Sequence, residues 1–150
     1  MSYWIIQGNP NTYCMDYLRT QGIQPDTWTA DRYADEIHLG DVAFIWLSDE
    51  RGKNNRGIYA MATVISLPDS ERQLQLDDPN VLDKEQWGRL NTLPKLDVIY
   101  IKLLVDNPLL ADDLKSGDLG TLQILQMPQW GIYKLSEEEG QKIRLLVERR

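Results

Sequence analysis

The chain is short of the residues on which much enzyme and membrane chemistry depends. It holds one cysteine, Cys14, and one histidine, His38, in 150 residues. A single cysteine excludes an internal disulfide and fits a reducing compartment. With no second histidine and no thiol pair, zinc has no ligand set, and His38 reads as a turn residue ahead of Gly40 and Asp41. Apolar runs are short as well. None approaches the roughly 18 residues of a membrane-spanning helix, and the N-terminus lacks the basic-then-apolar pattern of a signal peptide. The expectation is a soluble, cytoplasmic protein with no membrane partner. Positive charge is also scarce: 16 Lys and Arg against 23 Asp and Glu, a net charge of −7. Polyanion binding through the overall field is thereby excluded, because phosphate affinity comes from cations that displace counterions. A nucleic-acid role would have to rest on a local basic rim around a specific pocket. Repeats, low-complexity tracts and linkers are missing, so the chain reads as a single domain over 1–150.

What is present is organised around residues 38–66, HLGDVAFIWLSDERGKNNRGIYAMATVIS. The apolar run 41–47 reads as a strand buried on both faces or a barrel wall. A second strand spans 57–65, with Gly57 at its mouth, where another chain or a ligand can approach closely. The nine residues 48–56 between them exceed what a hairpin needs, which leaves a functional loop or a solvated tip. Ahead of this pair, 3–7 (YWIIQ) is a good first strand. Asn9 and Pro10 carry the signature of a cap and first position for a helix over 12–20, stopping at Gly22. Tyr13, Tyr17 and Leu18 give that helix an apolar stripe that reads as core. Residues 24–29 form a connection carrying Trp28, followed by a short helical piece over 30–37.

Past 66 the chain turns polar. Leu74 and Leu76 alternate as a short edge strand would, and Trp87 sits beside Gly88 in an irregular region. Residues 97–105 are the strongest strand signal of the second half. Asn107 and Pro108 repeat the cap device for a helix over 109–116 that stops at Gly117. A short apolar piece, 122–125, leads into the loop 126–131 with Trp130. Ser136 and Glu139 form a capping box for a C-terminal helix with Ile143, Leu146 and Val147 inward. This order of elements points to an α+β mixed sheet or small barrel with helices packed around it, not a doubly wound fold.

Catalytic constellations are missing. Cys14 sits where burial as a small hydrophobe is the commoner fate, and no Walker, GxGxxG or CxxC motif occurs. The pairs Asp77-Asp78 and Asp112-Asp113 read as solvated surface, because sequence neighbours on a helix do not face one another. What remains is Trp28, Trp87 and Trp130 in irregular segments, near strand ends that include Asn9 and Trp46-Leu47-Ser48. Aromatic faces with polar edges suit a planar base or a methylated group. The residues by themselves leave open whether these rings converge on a pocket or pack on the core.

A further pattern narrows the choice. Trp4 with Gln7-Gly8-Asn9-Pro10, Trp28-Thr29, Arg32-Tyr33, Glu36-Ile37, Gly40-Asp41, Phe44-Ile45-Trp46, Gly57-Ile58-Tyr59-Ala60 and Pro68 resemble the EVE domain, a PUA-like family related to the YTH readers of methylated adenine. The similarity continues through Asp97-Val98, Asn107-Pro108-Leu109, Gln126, Pro128-Gln129 and the final helix. It implies a PUA-like mixed β-barrel with surrounding helices and a pocket for a flipped, modified base of DNA or RNA. It implies neither catalysis nor a cofactor. By the resemblance, Asn9, Trp28, Trp46, Ser48, Gly57, Trp87 and Gln129 form the base pocket, while Arg51, Lys53 and Arg56 contact phosphates. The chain departs from the family pattern at Trp130-Gly131-Ile132-Tyr133, where many members have Gly-Thr-Asn-Phe. A small nucleoside-like ligand or a protein partner in the same pocket is the alternative.

Overall fold

A computed structural model describes residues 1–19, 24–49, 52–104 and 106–150. Its sheet is built from β1 (Tyr3–Gly8), β2 (Asp26–Thr29), β3 (Val42–Leu47), β4 (Gly57–Val64), β5 (Lys95–Leu103), β6 (Leu109–Leu110) and β7 (Ile132–Leu135). Four α-helices among the described residues accompany it: α1 (Lys84–Leu90), α2 (Ala111–Lys115), α3 (Gln123–Gln126) and α4 (Glu137–Glu148). The strand order is β2-β5-β4-β3-β1-β7, with β6 on β4. β1 and β3 run parallel and the other pairs antiparallel, so the sheet is mixed. It curls into a half-barrel, helped by register shifts at Ile45/Trp46 and Met61/Ala62 that increase local twist.

The continuous apolar run of β3 follows from its central place. Val42, Phe44 and Trp46 point into one core, with Ile143 and Val147 of α4 and Leu114 of α2. Ala43, Ile45 and Leu47 point into a second, with Trp28, Leu96 and Val98. Both faces are covered, so alternation between apolar and polar disappears. Asp41 is buried ahead of β3, and its carboxylate accepts from Ser2 N at 3.0 Å, Trp4 Nε1 at 2.9 Å and His38 N at 2.9 Å. These bonds fix the start of β1 against the start of β3 and satisfy a charge that burial would otherwise penalise. The capping box of α4 is present as expected: Ser136 Oγ accepts from Glu139 N, and Glu139 Oε1 from Ser136 N.

Several local expectations give way to long-range pairing. The helix expected over 12–20 is reduced to one 3-10 turn, Asp16–Arg19, and Gly22 lies outside the described residues. Asn9 closes an Asx turn on Asn11 N, while Tyr13 bridges Val81 and Cys14 N donates to Asn80 O. The Cys14 N–H and the Thr12 carbonyl, which accepts from Leu82 N, are thus spent on 80–82, so Cys14 is not helical. Trp28 stands on β2, paired with Leu96, and not in a connection. Over 30–37 the chain makes turns, with Tyr33 at φ 58°, a conformation that interrupts a helix.

Leu74 and Leu76 form no strand; Leu74 N donates to the Asn91 side chain. Trp87 is on α1, whose N-cap Asp83 accepts from Gln86 N. Asn107-Pro108 does not open a helix. Leu109 and Leu110 pair with β4, and α2 follows once Asp113 accepts from Leu110 N. The strand expected over 97–105 begins earlier, at Lys95, and Val105 lies outside the described residues. β7, unforeseen, pairs with β1.

Candidate functional site

A cleft of about 710 Å³ opens where the end of β1, the whole of β2, α1 and the segments 72–78 and 128–131 meet. Trp28 forms its floor. The indole is 7% exposed and lies against the backbone of Gly8, where even a methyl group would stand 2.6 Å from Cζ3. Trp28 Nε1 donates to the Tyr100 hydroxyl at 3.0 Å, and Tyr100 donates in turn to Asp26 Oδ2, which also accepts from the Tyr17 hydroxyl at 2.8 Å. The floor is therefore held by a polar chain that ends in one carboxyl. Burial pushes the Asp26 carboxyl above its ordinary value, against the pull of the two phenols. Burial, then the charge of Asp26, raises both phenols well above the usual tyrosine range.

Trp87 stands on another wall. Its Nε1 donates to Gln75 O at 3.0 Å, and one ring face is stacked on Tyr13, centroids 4.7 Å apart and planes 19° from parallel. Tyr13 is anchored by its hydroxyl to Asp78 Oδ2 at 2.7 Å, and burial with that bond moves its phenol up to about 12.

Trp130 completes the rim. The Arg32 guanidinium lies 4.0 Å from its ring centroid and 4.9 Å from that of Tyr33. The backbone of this segment is latched twice. Gln7 Nε2 donates to Trp130 O at 2.6 Å and Pro128 O at 2.9 Å; Asp31 accepts from Gly131 N at 2.8 Å and Ile132 N at 3.0 Å.

Of the residues expected in a pocket, Asn9, Trp28, Ser48, Trp87 and Gln129 line this cleft. Trp46 and Gly57 do not, and both are corrections. Trp46 is 1% exposed and faces the core under α2, because β3 alternates and its Ala43, Ile45 and Leu47 face the other way. Gly57 is packed on β6: a Cβ there would stand 2.5 Å from Leu109 O. The close approach expected at Gly57 is therefore made by the chain's own backbone. Lys53 is exposed and Arg56 half-buried on the loop beyond the cleft, and neither lines it; Arg51 lies outside the described residues. The expectation of a core stripe holds for Leu18 and in part for Tyr17, which packs against the same core and also lines the cleft; Tyr13 lines the cleft. Asp78, expected on the solvated surface, holds Tyr13 in place. Sequence reasoning also missed Asp26 and Arg72. Nothing local marks either one, since both gain their setting from the β2–β5 pairing.

A family model described as the EVE domain matches residues 2–146. The chain belongs to the EVE domain family. Its fold is the PUA-like α+β arrangement the resemblance implied, shared by solved EVE and YTH structures. Human THYN1 in complex with 5-methylcytosine-containing DNA superposes with a TM-score of 0.71 at 16% identity, covering 100% of this chain and 99% of that one. A hypothetical protein from Leishmania major gives 0.69 at 20% identity, over 99% and 96%. The YTH domain-containing protein mmi1, in complex with RNA, gives 0.54 at 12% identity, over 97% and 80%. Comparison with curated protein sequences finds no match. Among the described residues of this EVE domain, no helix is long and apolar enough to cross a membrane.

Proposed function

We propose that this EVE domain is a nucleic-acid-binding module, not an enzyme, whose cleft takes one flipped, modified base of DNA or RNA. The observation that carries this role is the meeting of Trp28 and Trp87, from opposite halves of the chain, in one cleft with Asn9, Ser48 and Gln129 at hand. Aromatic faces offer stacking to any base, and amide and hydroxyl groups can read its edge. Flipping costs a few kcal/mol, and stacking returns about 1–3 kcal/mol per base, so the two are of the same order. Support also comes from relatives of this fold solved with 5-methylcytosine DNA and with RNA. Lys53 and Arg56 would reach phosphates farther along the strand.

The test is a fluorescence titration with oligonucleotides that differ by a single 5-methylcytosine or N6-methyladenine. Trp87→Ala, at a half-buried site, should weaken binding of the preferred oligonucleotide by about 5- to 150-fold, the equivalent of one lost stack. Equal affinity in variant and parent, or no binding by the parent, would overturn the assignment. A nucleoside-like metabolite is the second reading, favoured by Asp26, Asp31 and Asp78 in the cleft wall of a chain with net charge −7. Salt separates the two: oligonucleotide affinity falls steeply with ionic strength, and metabolite affinity does not.

A further inference from the structure

We propose that Arg72 anchors a backbone phosphate of the nucleotide whose base enters the cleft, an inference that rests on the base-binding role above. Arg72 is the one cationic side chain among the described residues that line the cleft. Its guanidinium is set in place from behind. Nη2 donates to Asp97 Oδ1 at 3.0 Å and Thr27 Oγ1 at 3.2 Å, groups that face each other across the β2–β5 pair. Thr27 directly precedes Trp28, so the cation is tied to the strand that supplies the floor.

A guanidinium carries five N–H bonds. The two partners engage Nη2, and among the described residues Nε and Nη1 make no hydrogen bond. Three oriented N–H donors are thus left on a group whose side chain is 37% exposed. A phosphate oxygen is the acceptor that such donors hold best, through charge-assisted bonds.

The acidic residues of the wall do not compete for that role, because each is tied to donors of the chain itself. Asp31 holds Gly131 N and Ile132 N, and Asp78 holds the Tyr13 hydroxyl and Asn80 N. Asp26 holds two phenols and Thr27 N. What they leave is a cleft wall with a single cation among the described residues, and that cation keeps donors to spare. An acidic domain with one such contact inside its cleft would engage nucleic acid weakly except where a base fills the cleft.

The experiment measures affinity against salt for the parent, Arg72→Gln, Arg72→Lys and the double variant Lys53→Ala/Arg56→Ala, using a fluorescein-labelled single strand with one 5-methylcytosine. Arg72→Gln should weaken binding about 10- to 100-fold, as loss of charge-assisted bonds does, and lower the log–log salt slope by about 0.7. Arg72→Lys keeps the charge and should keep the slope while losing part of the affinity. Thermal melts of each variant supply the folding control. If Arg72 were merely structural, affinity in both Arg72 variants would track the melting temperature at an unchanged slope, and the inference falls. It also falls if the slope changes in the double variant alone. A parent that binds at no salt concentration removes the base-binding role and this anchor together.

Discussion

Gly8→Ala probes the floor of the cleft with a single methyl group. That methyl would stand 2.6 Å from Trp28 Cζ3 and 3.1 Å from Met15 Cε. Carbon atoms in contact prefer about 3.5–4.0 Å, so the overlap with the indole approaches about 1 Å. Two routes could relieve it, and both are blocked in part. Moving the backbone pulls Gly8 from its pairing with Leu47 and lengthens the Ser48 N to Gly8 O bond, now 3.0 Å. Moving the ring strains the Nε1 bond to Tyr100 and pushes a 7% exposed side chain against its neighbours.

Overpacking of this kind costs about 1–3 kcal/mol. A chain of this size loses about 2–4 °C per kcal/mol, so the melting temperature should fall by about 2–12 °C. Glycine to alanine in a strand is otherwise favourable by about 0.5–1 kcal/mol, so the sign alone is informative. Calorimetry gives the melting temperature, tryptophan emission reports the moved ring, and an oligonucleotide titration reads the reshaped floor. A variant that melts as high as the parent with the same emission spectrum would refute the packing described for Trp28.

Two further outcomes follow from the same physics. Gly140 lies inside α4, where alanine is ordinarily preferred by about 1 kcal/mol; here its Cβ would stand 2.1 Å from Tyr3 Cγ, so Gly140→Ala should lower the urea midpoint, and a raised midpoint would contradict the α4–β1 contact. The second concerns pH. Burial raises the Asp26 pKa above its unfolded value of about 3.9, so its contribution to stability is full below that pH and is lost as pH rises through the folded pKa. Asp26→Asn removes that dependence. The parent's stability advantage over the variant should shrink from pH 4 toward neutrality in urea titrations, and an advantage that grows with pH would mean the carboxyl is held in its charged form.

How far the sequence carries depends on whether a signal is local. β1, β3, β4 and most of β5 are legible because each is a run of β-branched and aromatic residues, and α4 because Ser136 and Glu139 sit at capping-box spacing. Asn9-Pro10 and Asn107-Pro108 mislead for a common reason. Each is a sound helix start taken alone, yet 13–14 is claimed by 80–81 and 109–110 by β4. β2 offers a single large apolar residue in four and becomes a strand through Leu96. The tryptophans divide in the same way. Trp28 and Trp46 are equally aromatic, and only their sheet neighbours decide that one packs in the second core where it borders the cleft and the other in the first core, away from it. Arg72 looks like any surface arginine until Thr27 and Asp97 are brought beside it.

The two sides of the cleft are fastened in inverse ways. Along 128–132, a carboxamide from β1 and the carboxylate of Asp31 grip four main-chain groups. On the α1 side it is the side chain that is gripped: the Trp87 indole donates to Gln75 O and leans on Tyr13. A guest in the cleft therefore meets backbone fixed by side chains along one border and a ring fixed by backbone along another.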